Sequence, residues 1–243
     1  MAKSRNQVVK KSLFLLLICN VVSAQTISFI EKNDTLQKPK YMEFIYLNDK
    51  TDISTSILVA TISAKGSLSD PVLLYSHIRM HGQKYGANSF KFVNFKKNAD
   101  KTGELVLSLY FSTYSILGAN FHNGPKNSVF IFGDENMLSD KSQSFKVNKT
   151  KYEVRAGHFK EFPVKTNEEL RITKGGFTGM TIFYEGGGRH SAFYSFSGLG
   201  VAGAQSTYSR DGQGIAIGIT TGKILPVEPG LAMLLTKIYI QQQ

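Results

Sequence analysis

From Val129 to the C-terminus the chain is divided into short apolar or alternating runs that recur about every ten residues, which limits its second half to a β architecture. The runs are Val129 to Phe132, Phe145 to Val147, Tyr152 to Val154, Phe159 to Val164, Leu170 to Thr173, Met180 to Tyr184, Ala192 to Phe196, Ile215 to Ile219 and Leu231 to Ile240. Gly, Asn, Asp or Lys-Gly-Gly separates them, and all but the last fall short of the roughly 10–12 residues of an ordinary helix. An antiparallel β-sandwich over residues 125–243 is the expectation. The last run also fits a 3.6 period through Leu231, Leu234, Leu235 and Ile238, and periodicity alone leaves helix and strand both open there.

The first half has a different grammar. Ile57-Leu58-Val59-Ala60-Thr61-Ile62 reads as a strand closed by Lys65-Gly66. Ser69-Asp70-Pro71 supplies an N-cap oxygen and a proline whose missing N–H costs nothing in a first helical turn. Leu74, Ile78, His81 and Tyr85 then share one helical face, and Gly86 provides the left-handed stop. Phe90 and Phe92, with Asn94, alternate against Ser89, Lys91 and Val93, a turn occupies Asn98 to Gly103, and Leu105, Leu107, Leu109 and Phe111 alternate in a third strand. Residues 41–118 therefore read as a strand, helix, strand, strand module, and the whole chain as α+β. Gln25 to Lys40 reads as an extended polar leader, and Leu117 to Lys126, with two Gly, two Asn and a Pro, as a connection.

Residues 1–24 read as a secretory signal. Lys3, Arg5, Lys10 and Lys11 precede the apolar run from Leu13 to Val22, and Val22-Ser23-Ala24 offers small residues one and three places before a cut ahead of Gln25. An apolar run of about ten residues is well short of the roughly 20 needed to span a bilayer, so no integral membrane segment is expected after cleavage. Removing the four basic residues lowers the formal net charge from +11 to +7, and removing Cys19 leaves no thiol for a disulfide or for nucleophilic catalysis. Ile18 precedes Cys19 where a lipoprotein has a small residue, so no lipid is expected. The expected location is the periplasm.

Constellations that carry chemistry are sparse. His77 and His81 lie one helical turn apart, a spacing that allows a shared metal ion, but the wheel puts His81 on the apolar face as a packed residue and no Glu adjoins His77 as a hydrolytic base. The further histidines, His122, His158 and His190, are scattered. Gly198, Gly200 and Gly203 match the letters of a dinucleotide fingerprint, which works only where a strand feeds a helix, and here β-like runs surround it. No Gly-x-Ser-x-Gly elbow is present, and Ser191, Ser195 and Ser197 share a strand-like run with His190 too close in sequence to serve them. Glu168 and Glu169 would face opposite sides of a strand. Phe90, Phe92 and Phe95 interleaved with Lys91, Lys96 and Lys97 suit an edge strand with Phe inward, and export removes nucleic acid as a partner. No metal, no cofactor and no enzymatic activity are expected; a secreted hydrolase with an unrecognised site is the alternative.

Ile57 to Val93, with Gly86-Ala87-Asn88 between helix and strand, resembles small envelope α/β modules in which a leucine, glycine, alanine, asparagine tetrad follows the helix, with Tyr85 here in place of the aliphatic residue. The stretch from Ser128, with Tyr152-Glu153-Val154-Arg155-Ala156-Gly157 and Val227-Glu228-Pro229-Gly230, is similar to envelope β-sandwiches. In size and N-terminal signal the arrangement is similar to the periplasmic plug proteins of type IX secretion channels. That resemblance implies a non-catalytic protein that binds a periplasmic or outer-membrane complex and caps a channel with its surface. The loops containing Lys174, Gly175, Gly176 and Phe177, and Gly198, Gly200 and Gly203, are the exposed stretches suited to docking. The basic excess also allows peripheral contact with anionic lipid headgroups.

Overall fold

The computed structural model describes residues 25–33, 43–176, 179–197, 199 and 222–243. The signal over 1–24, the candidates Phe177, Gly198, Gly200 and Gly203, and the run Ile215 to Ile219 lie outside the described residues.

A five-stranded sheet in the order β1-β3-β5-β4-β2 is formed by β1 (Thr26–Lys32), β2 (Ile45–Tyr46), β3 (Ile57–Ser67), β4 (Ser89–Lys97) and β5 (Thr102–Phe111). Helix α1 (Pro71–Lys84) connects β3 to β4 and packs on β3 and β5. Its start and stop follow the expected chemistry: Asp70 accepts a 2.9 Å bond from the Leu73 N–H, Pro71 opens the helix, and Gly86 beyond it has φ 93°. Leu105, Leu107 and Leu109 of β5 are fully buried, each stabilising the fold by about 2 kcal/mol.

β4 departs from simple alternation. A bulge between Phe92 and Asn94 leaves Val93 exposed and resets the register, so Phe95 rather than Asn94 follows Phe92 toward the core. The supposed leader is also different, because Thr26–Lys32 pairs antiparallel with β3 as an edge strand. Ile27 packs against the core, and Phe29 stands edge-on to both His81 and Tyr85 of the helix region.

Leu117 to Lys126 is only partly a connection. Tyr114–His122 forms α2, held by Asn120, whose Nδ2 donates to the Tyr46 carbonyl at 2.9 Å and whose Oδ1 accepts from the Asn48 N–H and the Thr51 hydroxyl. Buried pairing of one polar side chain outweighs the poor helix propensity of Gly118 and Asn120.

Seven of the short runs beyond Ser128 are strands: β6 (Ser128–Phe132), β7 (Ser142–Val147), β8 (Thr150–Arg155), β9 (His158–Pro163), β10 (Glu169–Lys174), β11 (Met180–Glu185) and β12 (Ala192–Ser195). β13 (Leu225–Pro226) follows. The run left open is α3 (Pro229–Ile238), which begins on a proline, is rich in Leu, Ala and Met, and ends before β14 (Ile240–Gln241). Sheet β11-β10-β7-β8 is antiparallel throughout. Sheet β13-β12-β6-β9-β14 is mixed rather than antiparallel, since β12 runs parallel to β6 and β14 parallel to β9.

β6 separates two apolar clusters by its pleat. Val129 and Ile131 join Phe145, Val154 and Ile172 of the four-stranded sheet, while Phe130 and Phe132 join a cluster that runs through α3 to Phe44, Ile78 and Phe90. The chain is α+β, and one buried cluster crosses from residues 41–118 into residues 125–243.

Candidate functional site

The histidine pair does not sit as expected. His77 and His81 are both half-buried, and the buried face of α1 is made by Val72, Leu74, Tyr75, Ile78 and Gly82. Gly82 takes the central place because a Cβ there would lie 2.6 Å from a Leu109 methyl, and this rotates His81 to the rim against Phe29. Among the described residues no three His, Cys, Asp or Glu side chains are grouped to hold a metal ion. His190 lies against Phe121, ring centroids 3.8 Å apart, and burial together with Lys126 and His122 lowers its pKa.

A cleft of about 210 Å³ is lined by Asn88, Phe111, Ser112, Thr113 and Tyr114. Its buried polar groups bind one another. Asn88 Nδ2 donates to the Ser112 carbonyl at 2.8 Å, Asn88 Oδ1 accepts from the Ser112 N–H at 2.8 Å, and the Ser112 hydroxyl meets those of Ser56 and Ser89. The asparagine of Gly86-Ala87-Asn88 thus acts as a side-chain strand partner, and its chemistry is structural.

The outer face of the four-stranded sheet is different in kind. Leu170 and Ile172 point inward along β10, leaving Glu169 and Arg171 exposed and Thr173 at the surface. Thr173 lies across from Lys146 on one side and Thr181 on the other, and Arg171 lies across from Phe183. Asn148 and Lys149 form the two-residue turn after β7 with φ 47° and 74°, the positive values that primed hairpin turns require. Asn148 locks this turn to β10: its N–H donates to the Arg171 carbonyl and its Oδ1 accepts from the Arg171 N–H, both at 2.9 Å.

Lys146, Lys149, Arg171 and Thr173 therefore surround a surface cleft of about 210 Å³. Among the described residues no carboxylate lies within 4.0 Å of Lys146, Lys149 or Arg171. Of the acids on this face, Glu153 lies 3.6 Å from Lys151 and Glu185 2.9 Å from Arg189, while Glu169, two residues before Arg171 on β10, is exposed. The Arg171 guanidinium lies 5.8 Å from the ring centroid of Phe183, which is 57% exposed. The arrangement presents three cations, a hydroxyl and an exposed aromatic ring on one face of the sheet, a set of groups whose charge and donors suit anions.

Of the docking loop expected from the sequence, Lys174 closes β10, but its ammonium donates to the Ser144 carbonyl at 2.8 Å and lies 4.6 Å from the Phe196 ring, with burial lowering its pKa. Gly175 and Gly176 are exposed, and Gly175 has φ 90°. The basic face joins residues from two strands and a turn, so its signal in the sequence is only the clustering of Lys146, Lys149 and Lys151 about the turn between β7 and β8. Among the described residues no helix is long and apolar enough to cross a membrane. No family model, no curated protein and no solved structure matches the chain.

Proposed function

We propose that the mature chain is an exported, non-catalytic binding module whose second half is a β-sandwich, and that the outer face of β7, β10 and β11 docks on an acidic protein surface of an outer-membrane assembly. The single observation behind this reading is the set of Lys146, Lys149 and Arg171 without carboxylate partners among the described residues, beside the exposed Phe183. Unpaired cations around an aromatic residue suit an interface with an acidic rim and an apolar centre. Capping of a secretion channel in the periplasm is the assembly role this reading entails, with no cofactor and no reaction.

The test uses the tagged, exported chain purified in mild detergent with its partner. The double variant Lys146→Glu, Arg171→Glu is expected to lose at least about 90% of the co-purified outer-membrane protein while its circular dichroism and melting temperature stay unchanged. Equal recovery of the partner by wild type and variant overturns the proposed face. Binding instead to vesicles of anionic lipid replaces the protein partner by a membrane surface. Turnover of an ester, peptide or glycan that one point substitution abolishes replaces the reading by that of a hydrolase.

A further inference from the structure

Strand β11 ends the four-stranded sheet, and no strand lies along its outer edge among the described residues. Just past β11, the Gly186 N–H donates to the Glu168 carbonyl at 2.9 Å, on the β10 side. Backbone groups alternate in direction along an antiparallel strand, so Tyr184 and Ile182 also bond β10, whereas Thr181, Phe183 and Glu185 turn their N–H and C=O groups outward. The far side of β10 has the matching phase: Arg171, across from Phe183, exchanges both its backbone bonds with Asn148 at the end of β7.

Exposed sheet edges are ordinarily defended by brevity, bulges, proline or lysine. β1 carries a bulge between Phe29 and Glu31, β2, β13 and β14 have two residues each, and β8 exposes Lys151 and Arg155. β11 has none of these defences. Met180–Glu185 pairs with β10 in unbroken register, contains no lysine, proline or glycine, and presents Phe183 at 57% exposure.

We propose that β11 accepts an extended segment of a partner protein as a fifth strand, with an acidic residue of that segment opposite Phe183. This inference rests on the reading of the basic face and specifies how the partner engages it. Main-chain bonds to Thr181, Phe183 and Glu185 supply the pairing, and the rows of side chains across the sheet supply the selection. An added strand lies about 4.8 Å beyond β11, so its residue opposite Phe183 stands beside that ring on the outer face. The Arg171 guanidinium is 5.8 Å from the ring centroid and has no carboxylate within 4.0 Å among the described residues. A carboxylate reaching across Phe183 meets it in a charge-assisted bond. Glu169 and Glu185 already face each other in the next row, so the strand carries its acid opposite Phe183 and not opposite Glu185.

Amide hydrogen exchange and ¹⁵N chemical shifts of the mature chain are recorded with the synthetic peptide acetyl-Thr-Val-Glu-Val-Thr-amide and with its Gln and Lys counterparts. The palindromic order serves parallel and antiparallel pairing alike. In the free chain the amides of Ile182 and Tyr184 are protected and those of Thr181, Phe183 and Glu185 exchange freely. The Glu peptide shifts and protects those three amides saturably, with a dissociation constant on the order of 1 mM, and the Gln peptide binds at least about fivefold more weakly. Thr181→Pro, which removes one outward N–H and no bond to β10, abolishes this binding and loses the co-purified partner, whereas Thr181→Val keeps both. Protection of Thr181 and Phe183 in the free chain overturns the proposal: independent of concentration it assigns the edge to residues 200–221, and rising with concentration to a second copy. Equal binding of the Lys peptide, or no saturable shift at these amides, overturns it as well. A folded Thr181→Pro chain that keeps the partner lost by Lys146→Glu, Arg171→Glu removes the added strand and leaves the docking face standing, and a partner kept by both variants removes both.

Discussion

Tyr239 buries a hydroxyl that finds no partner among the described residues, and a buried donor left unmade costs free energy that the phenyl ring alone would not incur. Tyr239→Phe is therefore expected to raise the stability of the chain by about 1 kcal/mol, measured by urea unfolding. The Glu135 carboxyl is raised from 4.5 to about 7 by burial, Asp70 and Asp134. A folded pKa above the unfolded one makes the stability contribution complete below about 4.5 and lost as pH rises through about 7. Stability is expected to decline across that window, and Glu135→Gln to flatten the decline in melts recorded at several pH values. Asn88 shows the opposite economy, with every polar atom used. Asn88→Ala leaves both the N–H and the carbonyl of Ser112 without their partner and is expected to cost about 2–3 kcal/mol in the same assay.

Helix α3 is held at its start by a cross-chain contact. Arg79 of α1 donates to Glu228 at 2.9 Å, and the Tyr75 hydroxyl reaches the same oxygen at 3.4 Å. Burial raises the Glu228 pKa and Arg79 acts against that rise. The pair is 26% and 34% exposed at its side chains, so Arg79→Ala is expected to cost only about 1–2 kcal/mol, read from the denaturant midpoint. Gly230 in the first turn sits where a Cβ would lie 2.8 Å from the Phe44 carbonyl, so Gly230→Ala pushes the helix off β2 and is expected to cost more than Arg79→Ala. The turn at Asn148-Lys149 works through backbone shape, since its positive φ values aim Lys149 beside Arg171.

At the scale of the molecule the chain end closes the core. Leu231, Leu234, Leu235, Ile238 and Tyr239 belong to the same cluster as Phe44, Phe90 and Phe132, so deletion of 229–243 is expected to abolish the cooperative melt followed by far-ultraviolet circular dichroism and to expose apolar surface to a hydrophobic dye. The sequence by itself determined what is written within a dozen neighbouring residues. The cap at Asp70, the stop at Gly86, the alternation of Leu105, Leu107 and Leu109, and seven strand positions after Ser128 are all local patterns. Only the tertiary structure decided the rest. Ile27 and Phe29 are too few apolar positions to announce a strand until β3 and α1 supply their partners. Asn120 stabilises α2 through the Tyr46 carbonyl, and the bulge in β4 turns Phe95 inward. The parallel pairing of β12 with β6 and the basic cleft join residues far apart in the chain. Periodicity and capping are properties of a segment, whereas strand neighbours and convergent charges depend on which segments bury one another, and no single stretch of sequence carries that information.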